Sequence, residues 1–208
     1  MSREKKVPDV VIRRLPLYLR VLEVIDPAEL PIVSSEQMAT MVGTSSVQVR
    51  KDLSYFGVFG KQGVGYHTIL LRDELRRILK LDRELRVGLI GAGNLGAALV
   101  RYHQRSPVHK PLQIVALFDI DEKKVGRKIA DVEIFALDEL SGKIQELGIR
   151  MMILSFPAIN VQQVVDVCVD SGIKSFLNFV PAAIKTPPGI KVQNSDVTLD
   201  LQSLAYYT

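Results

Sequence analysis

An α/β fold in two parts is predicted by three features of the 208-residue chain. Near the N-terminus, two short helical segments follow one another closely, each opened by a serine. A run holding glycines 57, 60, 63 and 65 among aromatic and β-branched residues comes directly after them. From Leu85 onward, apolar strands alternate with helical segments, and the first strand runs into "GAGNLG". Such alternation marks a parallel sheet with helices on its faces. The texture changes in "KLDREL", residues 80–85, which divides the chain into 1–84 and 85–208.

In the first part, "VVIRRLPLYLRVLEVI" (10–25) reads as a helix in which Pro16 invites a kink. Ile12, Leu15, Leu19 and Leu22 are expected to share its apolar face. In "SSEQMATMVG" (34–43), Ser34 with Gln37 three residues on is a capping-box pattern. The Ser oxygen and the Gln side chain satisfy each other's free backbone amides. Gly43 suits the helix end, where a left-handed residue is needed. Ser45 and Gln48 repeat the pattern at once. Two helices about three residues apart have the spacing of a helix-turn-helix.

On the second of these helices, Val49, Leu53 and Phe56 fall at i, i+4 and i+7 and form the packing face. Ser46, Gln48, Arg50, Lys51, Ser54 and Tyr55 are left outside. Gln and Arg can make bidentate hydrogen bonds to base edges, while Lys, Ser and Tyr suit phosphates. A solvated polar face would look the same, so the next segment matters. "GVFGKQGVGYHTI" (57–69) reads as a short hairpin with Lys61 at its basic tip. Helix, helix, reading helix, hairpin is the order of a winged helix, and these seven polar residues are its candidate DNA contacts. "LLRDELRRILKL" (70–81) then reads as an amphipathic exit helix.

The second part opens with the strand "LRVGLIG", followed by Gly91-Ala92-Gly93-Asn94-Leu95-Gly96 and a helix to about His103. In G-x-G-x-x-G the first glycine permits the tight turn, the second admits a pyrophosphate, and the third lets helix and strand pack. The helix N-terminus offers free amides to the phosphates. The motif alone is weak; its place between strand and helix gives it weight and predicts a Rossmann-type unit. "LQIVALFD" ends at Asp119, 28 residues after Gly91, against an ordinary spacing of about 20 for the ribose-binding acid. The loop 105–111 absorbs the excess. Asp119, with Asp121 as its alternative, favours NAD(H) over NADP(H). Later β-α units run through "VEIFAL", "RMMILSF", "IKSFLNFV" and "IKVQNSDVTL". Their loops bring Ser155, Phe156, Pro157, Asn178, Phe179 and Pro181 to the carboxyl edge, where ligands bind in open α/β sheets.

Composition narrows the function. Hydrophobic residues make up 47% and charged residues 24%, ordinary for a globular protein. No apolar run approaches the roughly 18 residues of a membrane span, and the charged N-terminus has no h-region. A soluble, cytoplasmic protein is expected. The net charge is +4, with the excess N-terminal at Arg3, Lys5, Lys6, Arg13, Arg14 and Arg20. That bias permits a polyanionic partner. The single Cys168 excludes an internal disulfide framework and a Cys-based zinc site, and "VVDVCVDSG" reads as a core helix. His67, His103 and His109 are scattered, and neither a metal site nor a catalytic residue is expected. The loops beside a nicotinamide offer no His, Lys or Glu as a proton carrier. The residues therefore favour a sensor over two alternatives. One is a small NAD-dependent oxidoreductase whose N-terminal helices dimerise. The other is a CoA-ligase-like nucleotide-binding subunit.

The stretch "QVRKDLSYFG-FG--GVGY", followed by "GAGNLG", "FD-D--K-G" and "NF-P", closely resembles the Rex family of redox-sensing transcriptional repressors. The resemblance spans nearly the whole chain and is most specific in residues 45–66. It implies a homodimer that binds an inverted-repeat operator, senses the NADH/NAD+ ratio and leaves the DNA on binding NADH. It places Tyr102 near the nicotinamide site and matches Arg20 and Asp196 to a state-dependent contact. It also implies that a short C-terminal helix, "LDLQSLAYYT" (199–208), is exchanged between protomers.

Overall fold

The computed structural model describes residues 7–57, 59–61, 64–105 and 111–208, with Lys61 described in its backbone only. The chain forms two compact units, Met1–Arg83 and Glu84–Thr208.

In the first unit, α1 (Asp9–Val24) runs on through Pro16. Its buried stripe is Val11, Leu15, Tyr18, Leu19 and Leu22. Ile12 was expected there and is instead 40% exposed. Each helical residue turns about 100°, so the stripe through Leu15 and Leu22 takes in Val11, four residues earlier, and leaves its neighbour outside. After β1 (Ile32–Val33), α2 (Ser35–Val42) carries the full capping box. The Gln37 amide donates to Ser34 Oγ at 3.1 Å, and the Ser34 amide donates to Gln37 Oε1 at 2.8 Å. Gly43 ends the helix at φ 71°.

The next helix, α3 (Ser46–Ser54), repeats only half of that box. Ser45 Oγ accepts from the Gln48 amide, but the Gln48 side chain turns instead to Asp52, at 2.7 Å. The hairpin forms from β2 (Gly60–Lys61) and β3 (Gly65–His67), and β1 pairs on its other side. Then α4 (Thr68–Ile78) begins two residues earlier than its sequence suggests. Thr68 is fixed by its amide on the Pro31 carbonyl and its hydroxyl on that of Leu30. Leu15, Tyr18, Leu22, Met38, Val49, Leu53, Leu71 and Leu75 close the core.

The second unit is one seven-stranded sheet. Its elements are β4 (Leu85–Ile90), α5 (Asn94–Arg105), β5 (Leu112–Asp119), β6 (Lys128–Ile129), β7 (Val132–Ala136), a 3-10 turn (Leu137–Glu139) and α6 (Leu140–Glu146). They continue with β8 (Met151–Leu154), α7 (Val161–Asp170), β9 (Ser175–Asn178), β10 (Lys191–Asn194) and α8 (Val197–Ala205). The strand order is β10-β9-β8-β4-β5-β7-β6, parallel throughout except for the β6–β7 pair. Side chains alternate across the sheet. Thus Ile90, Phe118 and Leu154 join one core with α6 and α7, while Leu89, Leu117 and Ile153 join another with α5.

Two boundaries differ from the sequence pattern. The last strand stops at Asn194, and Asp196 caps α8 by accepting from the Thr198 and Leu199 amides at 2.9 and 3.3 Å. So α8 starts at Val197, ahead of the expected 199. Cys168 lies fully inside the core on α7, where burial pushes its thiol up to about 12.

Candidate functional site

At the dinucleotide end, the chain reverses direction across the sheet between β4 and β8. That is the switch point at which open α/β sheets take their ligands. The carboxyl ends of β9, β8, β4 and β5 stand side by side there. They bring Asn178–Pro181, Ser155–Pro157, Gly91–Gly96 and Asp119 to one edge.

Two of the loop's glycines are required by contact. A Cβ on Gly91, which has φ 101°, would lie 2.4 Å from the Ser155 carbonyl oxygen. One on Gly96 would lie 2.0 Å from the Gly91 carbonyl oxygen. By contrast, a Cβ on Gly93 would meet nothing within 4 Å. The open position faces outward with exposed Asn94 and Leu95, where a pyrophosphate would approach the amides at the start of α5. The residues therefore fit a dinucleotide. Ala92 is buried and donates its amide to Asp119 Oδ2 at 2.8 Å.

Asp119 is turned inward rather than into solvent. Its carboxylate is 8% exposed and also takes the Asp121 amide and the Lys124 ammonium, each at 2.9 Å. Burial works against its charge, but these hydrogen bonds together hold its pKa below the ordinary value. Asp121 is the more exposed acid of the two. Ser155 donates its hydroxyl to the Ile90 and Gly91 carbonyls at 3.2 and 3.0 Å. Asn178 is buried and uses its amide on the Val180 backbone and on Asn194. Both polar side chains thus shape the loops rather than reach out of them. Phe156 and Phe179 are half-buried, Pro157 and Pro181 exposed, and Tyr102 is 67% exposed on α5.

At the other unit, α3 projects Arg50, Lys51 and Ser54 into solvent, with Ser46, Gln48 and Tyr55 partly exposed. Arg50 Nη1 donates to Ser35 Oγ at 2.9 Å across a groove that also holds Phe59 and Tyr66. Ser54 donates its hydroxyl to the Lys51 carbonyl. The Lys61 side chain lies outside the described residues, as do Arg3, Lys5, Lys6 and His109.

Sequence reasoning missed two residues here. Val47 is 63% exposed in the first turn of α3, an apolar group beside the polar ones. Asp52 is completely buried beneath the same helix. Arg14 Nε and Nη2 reach its two oxygens at 2.6 and 2.8 Å, and Tyr18 donates its hydroxyl at 2.7 Å. Burial disfavours the Asp52 charge, but hydrogen bonds from Arg14, Tyr18 and Gln48 outweigh it and lower the pKa. Among the described residues, no helix is long and apolar enough to cross a membrane, and no group of three or more His, Cys, Asp or Glu could hold a metal.

Known proteins resemble the chain over both units. A family model described as a putative DNA-binding protein N-terminus matches residues 6–54, and one described as a CoA binding domain matches 82–182. The redox-sensing transcriptional repressor Rex of Brevibacillus brevis is 41% identical over 207 residues, covering 100% of this chain and 99% of its own. That of Chloroflexus aurantiacus is also 41% identical, with 100% and 97% covered. A crystal structure of RSP in complex with beta-NAD+ and operator DNA has a TM-score of 0.88 and 35% identity, covering 97% of this chain and 92% of that one. RSP in complex with beta-NADH has a TM-score of 0.84 and 32% identity, with 98% and 94% covered. Identity of this extent along the whole chain, on a fold with a capped helix pair and a glycine loop at a switch point, places the chain in the Rex family of redox-sensing transcriptional repressors.

Proposed function

We propose that the chain is a cytoplasmic DNA-binding repressor that senses the NADH/NAD+ ratio, binds an inverted-repeat operator as a homodimer and is released by NADH. One observation carries the reading furthest. A solvent-facing Arg50/Lys51 helix and an open Gly93 above a helix N-terminus belong to one chain. At the second of these, the polar side chains Ser155 and Asn178 are engaged in holding the backbone. That is equipment for binding a dinucleotide rather than transforming it, and the relatives solved with NAD+, NADH and operator DNA support it.

The physical basis is a difference in affinity. NAD+ carries a positive charge on its nicotinamide ring and NADH does not. A nicotinamide seated against Phe156 and Phe179 would pay for its positive charge in desolvation. A ligand shifts an equilibrium only by its differential affinity for the two states. A symmetric dimer reads half-sites about 34–36 Å apart or a multiple of that. NADH therefore favours an arrangement in which the two reading helices no longer keep that spacing. Dimerisation has a surface to use: α8 buries none of its residues and leaves Val197, Leu199, Leu201 and Leu204 about 60% exposed. Asp119 and Asp121 disfavour the 2′-phosphate of NADP(H).

The test is fluorescence anisotropy on an inverted-repeat operator at fixed salt, without nucleotide and with saturating NAD+, NADH or CoA. Salt is fixed because phosphate contacts make DNA affinity steeply salt-dependent. Release by NADH alone supports the sensor. Release by CoA alone would favour a CoA-responsive reading, which the match of residues 82–182 to a CoA binding domain brings forward. Indifference to all three would refute a coupled sensor.

A further inference from the structure

The buried carboxylate under α3 does more than hold two helices together. Asp52 receives four donors on two oxygens. Arg14 Nε and the Tyr18 hydroxyl reach Oδ2, while Arg14 Nη2 and Gln48 Nε2 reach Oδ1. An ionised carboxylate only accepts hydrogen bonds, and about four is its capacity. Asp52 therefore admits Gln48 in one orientation alone, with the amide nitrogen inward. One Gln48 N–H is committed at 2.7 Å, and the carbonyl oxygen and the second N–H remain. Gln48 sits in the first turn of α3, partly exposed, where a reading helix meets base edges. An acceptor beside a donor matches the major-groove edge of adenine, which offers the N6 amine and the N7 acceptor.

We propose that Asp52 is a positioning residue for base recognition: clamped by Arg14 and Tyr18 of α1, it fixes the Gln48 amide so that Gln48 reads adenine at one position of each half-site. This rests on the reading of α3 as the DNA-contacting helix. The same joint ties the posture of α1 to what α3 reads.

The experiment uses the full-length protein and duplexes that it selects from a random-sequence pool. Each half-site position is then changed to every other base pair, and affinity is measured by anisotropy at fixed salt. The wild type is expected to lose roughly tenfold or more when one particular A·T pair is replaced by G·C. Gln48→Glu cannot donate to Asp52 or to N7, and loses that preference while keeping the others. Asp52→Asn leaves a single accepting oxygen for the four donors that Asp52 takes, so the Gln48 amide is no longer held in one orientation and the same preference is lost. NADH binding stays at the wild-type level in both.

A merely structural Asp52 would weaken binding by one factor at every position and leave the adenine preference intact; that result overturns the proposal. So does a Gln48→Glu protein that keeps the preference, which decides the matter even if Asp52→Asn does not fold. If the wild type selects no duplex at all, the DNA-binding reading falls and takes this proposal with it.

Discussion

Adding one methyl group at Gly96 is expected to damage the second unit in both stability and binding, whereas the same methyl at Gly93 damages binding alone. The Gly96 Cβ would stand 2.0 Å from the Gly91 carbonyl oxygen, 3.0 Å from Leu89 Cδ2 and 3.1 Å from Ser155 Oγ. The oxygen has little room to retreat. It accepts from Ser155 Oγ at 3.0 Å, and the Gly91 amide donates to the Phe118 carbonyl at 2.8 Å. Relief therefore requires α5 and the glycine loop to part by about 1 Å, in an interior too well packed to absorb it. Overpacking of this kind costs about 1–3 kcal/mol. For a unit of this size that is a fall of about 5–10 °C in melting temperature. The displaced loop also carries the amides proposed to meet the pyrophosphate, so NADH affinity is expected to fall by at least about tenfold, a change of about 1.4 kcal/mol. Gly93 has nothing within 4 Å, so Gly93→Ala melts like the wild type. Its methyl would stand where the proposed pyrophosphate approaches, and NADH affinity is expected to fall. Melting is followed by far-UV circular dichroism and binding by the fluorescence of NADH, in a chain without tryptophan. A Gly96→Ala protein with wild-type melting, or a Gly93→Ala protein with wild-type NADH affinity, would refute the reasoning.

Three further outcomes are expected. Arg50→Ala abolishes specific operator binding and leaves NADH binding and melting unchanged, because the guanidinium is exposed and its bond to Ser35 is a surface one; loss of NADH binding as well would make Arg50 structural. Removal of residues 197–208 converts the dimer to a monomer in analytical ultracentrifugation, and a persisting dimer would assign the interface elsewhere. Asp52 and Asp119 both have pKa values lowered from the ordinary 3.8. Their contribution to stability is whole above that value and is lost as pH falls through the lower folded values. Urea midpoints should therefore hold steady from pH 7 to about 5 and drop below about 4. Asp52→Asn should lower the midpoint at neutral pH and flatten its acid dependence, and an unchanged acid slope would remove Asp52 from the account.

Features whose causes lie close together in the chain were legible from the sequence. The Ser34–Gln37 box, Gly43 and the "GAGNLG" loop are each settled within about one helical turn or strand end, and they form where their residues say. What escaped depends on distant partners. Asp52 looks like one more surface acid on α3 until Arg14 and Tyr18, 38 and 34 residues away, close over it. It also draws Gln48 away from the capping role that the spacing suggested. Asn178 and Ser155 read as ligand contacts because they sit at strand ends. The hydrogen bonds their side chains make there, from Ser155 to the Ile90 and Gly91 carbonyls and from Asn178 to Asn194, join neighbouring strands that only the sheet order brings near. The two-residue β6 pairs with β7 on the far edge and is too short to leave a periodic signal.

The sealed position of Cys168 has a consequence for what kind of oxidation the chain can report. Oxidants attack thiolates that are exposed and of low pKa. The single thiol here is neither, being fully enclosed and pushed up to about 12. Peroxide or disulfide stress therefore leaves no covalent mark on its sulfur and calls for no reductase to erase one. The chain's answer to the metabolic state is an equilibrium occupancy, reset as soon as the nucleotide pool changes and carrying no memory of what came before.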